Sequence, residues 1–149
     1  MARLPDPQAD SPDVDQALAQ RMLQRRGGAL LNLDKQLLHS APLADGWNHY
    51  MGALRGQTRL DGALRELVIL LVAVLNRAPY EFAQHAPVAL AEGVSQAQID
   101  ALPAWRDCVL FDERTHDVLA YTEAMTLRVQ VSDAEFQAVR RHFDARDMV

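Results

Sequence analysis

Nine consecutive apolar residues, Leu67 to Leu75, stand near the middle of a chain of 149 residues. A run of that length must be buried, and it is far short of the roughly 20 residues that span a bilayer. Val and Ile within it would suit a strand, but the segments around it carry apolar residues at helical spacing and none shows period-2 alternation. The run is therefore expected to be a helix capped by Asp61 and buried on all sides. Val14, Leu18 and Met22 form one apolar stripe, in a helix expected to start at Ser11-Pro12-Asp13 and to stop at Gly27-Gly28. Leu30, Leu33 and Leu37 form a second, and Leu43, Trp47, Tyr50, Met51 and Leu54 a third. Pro79 opens and Gly93 closes a further helix, in which Pro87 is expected to produce a kink. Ser95 with Gln98, and Ser132 with Glu135, read as capping boxes, and Asp112 as the cap of a helix between them. The fold class expected is all-α: residues 1–12 a disordered tail, residues 13–149 a single helical domain.

Composition narrows the function. Hydrophobic residues make up 49% and charged residues 23%, the balance of a globular protein. A formal charge of −5 argues against nucleic acid or an anionic membrane as partner. The acid- and proline-bearing N-terminus does not read as a signal peptide, so a cytoplasmic location is expected. Cys108 is the single cysteine, which excludes an internal disulfide and a multi-cysteine zinc site; it reads as a small buried hydrophobe. His39, His49, His116 and His142 have no Cys or His at i+3 or i+4, so no metal is expected. No glycine-rich phosphate loop or nucleophile elbow is present, and no cofactor is expected.

The residues with chemical promise lie between Glu66 and Gly93. Glu66 precedes the apolar run by one position, where a dry environment disfavours the charged carboxylate and suits proton transfer. Glu81 and His85 are four apart and share a helix face, so the carboxylate can hold one imidazole nitrogen and fix the tautomer of the other. A tight loop between the two helices would bring Glu66 opposite them. Arg59, Arg65 and Arg77 flank the apolar helix and could bind a substrate carboxylate.

The stretches Arg65-Glu-Leu-Val-Ile-Leu70, Asn76-Arg-Ala-Pro-Tyr-Glu-Phe-Ala-Gln-His85 and Ala89-Leu-Ala-Glu-Gly-Val-Ser-Gln-Ala-Gln-Ile99 resemble the carboxymuconolactone decarboxylase family. The likeness is strongest over residues 61–102. It implies the helical fold shared with alkylhydroperoxidase D, a homo-oligomer (trimer or hexamer), and cofactor-free decarboxylation of a small lactone or carboxylic acid. Glu66, Glu81 and His85 would be the catalytic residues, with Tyr80, Arg65 and Arg77 contacting substrate. The peroxidase branch carries a Cys-x-x-Cys pair where this chain has Ala78 and Glu81, so its thiol mechanism is not expected here. True lactone decarboxylases are a residue shorter between the apolar helix and the histidine. Family members also usually continue past the point matching residues 144–149 into another apolar helix, so either the sequence is shortened or a neighbouring subunit completes the core.

Overall fold

The computed structural model describes residues 3–7 and 13–149, and the expected helix start at Ser11 and Pro12 lies outside the described residues. Among those described, every regular element is a helix: α1 (Gln16–Arg25), α2 (Asn32–Leu37), α3 (Ala41–Gly56), α4 (Gly62–Leu75), α5 (Pro79–Ala91), α6 (Gln96–Ala101), α7 (Glu113–Arg128) and α8 (Asp133–Arg140). A short 3-10 helix, Leu102–Asp107, follows α6 where no element was expected. The chain falls into two compact units, Met1–Thr58 and Arg59–Val149.

In the first unit, α1 begins at a different cap from the one expected. Asp15 accepts the Leu18 N–H at 2.9 Å, and the helix gives way to Gly27 and Gly28, both at positive φ. Leu18, Met22, Leu38 and Ala44 form the core, with Leu30 and Leu37 packed against it. The expected second stripe is only partly used: Leu33 faces outward, while the buried residue of α2 is Asp34. Leu43 and Tyr50 of the third stripe are also exposed. Within the expected tail, Asp6 accepts from Lys35 Nζ and Gln36 Nε2, both at 3.1 Å, and the Pro5 carbonyl lies 2.9 Å from His39 Nε2.

The second unit is built on α4, which packs against α5 and α7. Asp61 caps it by accepting the Leu64 N–H, as expected. Leu67, Leu70 and Leu71 join Ala89, Ile99, Leu102, Trp105 and Leu119 in the main core, with Cys108 partly buried against them. Burial is not all-round. Val68, Ile69 and Val72 are half-buried because α5 and α7 do not enclose the whole circumference of the helix. Both expected capping boxes form. α5 runs through Pro87 as one uninterrupted helix, so the lost bond to Ala83 does not break it.

At residues 144–149 the chain makes a turn instead of starting a helix. Asp144 accepts the backbone N–H groups of Arg146 and Asp147 and pairs with Arg59 at 2.7 Å. The Arg59 guanidinium and then these N–H groups pull the Asp144 carboxyl down to about 2. A depressed folded-state value means this contribution is complete above the unfolded carboxyl's ~3.9 and is lost as pH falls through the folded value. A carbon-detected NMR titration is expected to place the Asp144 midpoint near 2, and Arg59→Ala to move it upward. A native midpoint near ~3.9 would refute the pairing.

Candidate functional site

The site depends on how α4 hands the chain to α5. Asn76 ends α4, Arg77 takes a left-handed conformation at φ 53°, and the Ala78 N–H reaches back to the Ala73 carbonyl at 2.9 Å. This is a helix-ending turn in which arginine occupies the position usually given to glycine. Pro79 then starts α5 with its φ already set for a helix. Glu66 lies nine residues before the end of α4 and His85 six after the start of α5. At about 1.5 Å rise per residue, the folded-back helices bring the two roughly level.

They meet closely. His85 Nδ1 lies 2.6 Å from Glu66 Oε2, and Glu66 is fully buried. The His85 side chain is 12% exposed and that of Glu81 is 51% exposed, so the trio runs from the core to solvent. Glu81 was expected to hold an imidazole nitrogen. Its Oε2 instead stands 3.8 Å from His85 Nε2, an ion-pair distance too long for a direct hydrogen bond. The carboxylate that fixes the ring is Glu66.

Arg65 braces the same carboxylate. Its Nε lies 3.3 Å from Glu66 Oε1 and its Nη2 3.2 Å from Glu92 Oε1. Arg65 therefore supplies counter-charge to the buried Glu66 and ties the start of α4 to the residue just past α5. Glycine at position 62 permits this: a Cβ there would lie 2.1 Å from Glu92 Oε2. Neither Gly62 nor Glu92 was singled out from the sequence, because the close approach joins residues thirty positions apart and leaves no periodic signal. Tyr80 and Arg77 are exposed near the start of α5. Arg59, by contrast, is engaged with Asp144 and Asp147.

What this arrangement can do is proton transfer. A carboxylate on Glu66 takes the Nδ1–H and leaves the Nε2 lone pair facing outward, the tautomer a general base requires. The Glu66 carboxylate can also balance the imidazolium formed once Nε2 is protonated, with Arg65 holding that carboxylate in place. Among the described residues no three His, Cys, Asp or Glu side chains converge as metal ligands. Compared with curated proteins and with solved structures, the chain finds no match. The model of the carboxymuconolactone decarboxylase family matches residues 41–124, from the start of α3 into α7. That is more than half of the chain, and it includes Glu66, Glu81 and His85; the chain belongs to the carboxymuconolactone decarboxylase family.

Proposed function

We propose that the protein is a cofactor-free acid–base enzyme that decarboxylates a small lactone or carboxylic acid metabolite. The observation that carries this reading is the 2.6 Å contact between the buried Glu66 and His85 Nδ1, which orients the outward Nε2 beside Glu81. When the carbon–carbon bond to the carboxylate breaks and carbon dioxide leaves, the electron pair remains as an enolate. His85, carrying a proton on Nε2 as the imidazolium that Glu66 balances, delivers it to that carbon, is left as the neutral Nδ1–H tautomer, and takes a proton back from solvent. Glu66 holds the ring and balances its positive charge, and Arg65 steadies Glu66. Glu81, Tyr80 and Arg77, all exposed, contact the substrate, with the guanidinium facing its carboxylate or the enolate oxygen. A thiol peroxidase route finds no support, since Ala78 and Glu81 stand where the cysteine pair would be.

The protein works as a homo-oligomer, a trimer or hexamer, in the cytoplasm. The half-buried Val68, Ile69 and Val72 of α4 and the exposed Leu43 and Tyr50 of α3 support assembly, because apolar area left open in one chain gains by being covered. The test is carbon dioxide release from a panel of lactone acids and β-keto acids by the purified protein. Turnover that His85→Asn reduces at least 100-fold is expected, the lower end of the ~10²–10⁴ that a positioned acid or base supplies. No turnover across the panel, or activity indifferent to His85→Asn, would sink the assignment.

A further inference from the structure

The first unit holds a cluster of charge that the acid–base reading does not use. Arg25, Arg26 and Arg55, with Met51, Gly52 and Gly56, line a cavity of about 390 Å³. A single carboxylate, the fully buried Asp34, is paired with this group, and both of its oxygens are taken. Oδ1 accepts from Arg26 Nη2 at 3.0 Å and Arg25 Nη2 at 3.5 Å; Oδ2 accepts the Leu31 N–H at 3.0 Å and lies 2.7 Å from Arg26 Nε. Asn48 Oδ1 fixes the other end of Arg25 by accepting from its Nε at 2.5 Å. Arg55 has no carboxylate partner among the described residues. Three guanidiniums against one carboxylate leave an excess of two positive charges around one cavity, in a chain whose net charge is −5.

Like charges gathered this way are unfavourable unless an anion joins them. Burial, then the charge of Arg26, hold the Arg25 guanidinium below its ordinary value; Arg55 acts the same way and Asp34 opposes. Two glycines stand on its lining. A Cβ at Gly52 would only touch Arg25 Cδ at 3.8 Å, and one at Gly56 would meet nothing within 4 Å, so a longer side chain at either position would project into unfilled volume. We infer that this cavity is a binding site for a small phosphate-bearing anion, gripped by Arg55 together with the N–H groups of Arg25 and Arg26 that Asp34 and Asn48 do not occupy. A guanidinium fork matches phosphate oxygens two at a time, and the volume suits a small molecule.

Isothermal titration with inorganic phosphate and with a nucleoside monophosphate, at ionic strength held constant with chloride, tests the site. Saturable 1:1 binding per chain is expected for both if the phosphate group alone is read, and for the nucleotide alone if the rest of the cavity contributes. Arg55→Ala, which removes no partner of Asp34, is expected to weaken binding at least tenfold. Gly52→Leu is expected to block it with all three arginines intact. Retained two-unit folding is checked by the circular dichroism melting curve of each variant. No saturable binding of either probe, binding unchanged in both variants, or tighter binding of succinate than of either phosphate probe would overturn the assignment.

Discussion

Replacing Asp34 with alanine is expected to destabilise the first unit by about 3 kcal/mol, the lower end of the ~3–5 that breaking a buried ion pair costs. Asp34 is fully buried, and its removal strands Arg25 and Arg26, whose side chains are only 17% and 13% exposed. It also orphans the Leu31 N–H at the start of α2, a six-residue helix with little stability of its own. The partial exposure of the two guanidiniums lets water recover some of the loss, which places the estimate at the low end. Asp34→Asn keeps a carbonyl oxygen for Leu31 and is expected to cost about half as much. The chain has two tryptophans, Trp47 in the first unit and Trp105 in the second. Fluorine NMR of the fluorotryptophan-labelled protein during denaturant unfolding therefore reads the units separately. A shift confined to Trp105, or a loss below about 1 kcal/mol at Trp47, would show that the cluster is not the brace described.

Much of the second unit was legible because its signals are local. Asp61, Ser95, Asp112 and Ser132 each cap a helix within three residues of their own position, so sequence spacing and structure carry the same information. The meeting of Glu66 and His85 was legible for a related reason: one tight turn joins their helices, and two local elements with a short link leave few geometries. What was misread depends on neighbours distant in sequence. Leu33 is polar-side and Asp34 buried because two arginines from the end of α1 reach back over α2, a pairing no helical periodicity records. The full burial expected of α4 failed on the same ground. Nine apolar residues say that the helix needs covering, but not how much of its circumference α5 and α7 cover. Arg77 shows a further limit. Its left-handed conformation sits where glycine would advertise a turn, and arginine does not.

The most informative change at the acid–base site is Glu66→Gln. It preserves volume in a fully buried position, but an amide can donate to Nδ1 where a carboxylate can only accept. Donation would leave Nδ1 unprotonated, and without the negative charge facing the ring the imidazolium that delivers the proton from Nε2 is no longer stabilised. Decarboxylation is expected to fall on the order of 10²–10⁴-fold. Stability should drop far less than in Glu66→Leu, where Arg65 and His85 lose their buried partner and a cost of about 3–5 kcal/mol follows. A double-mutant cycle separates a catalytic dyad from a purely structural network. Adding His85→Leu to Glu66→Leu removes a second polar group from the same place, so part of the lost stability is expected to return while activity stays absent. Glu66→Gln retaining full turnover with the tautomer of His85 unchanged by nitrogen NMR would end the acid–base reading. A tautomer change without loss of turnover would move the chemistry away from His85 Nε2. The expected pattern, a shifted tautomer and lost turnover in a folded protein, ties the reaction to the one contact that the short turn between α4 and α5 creates.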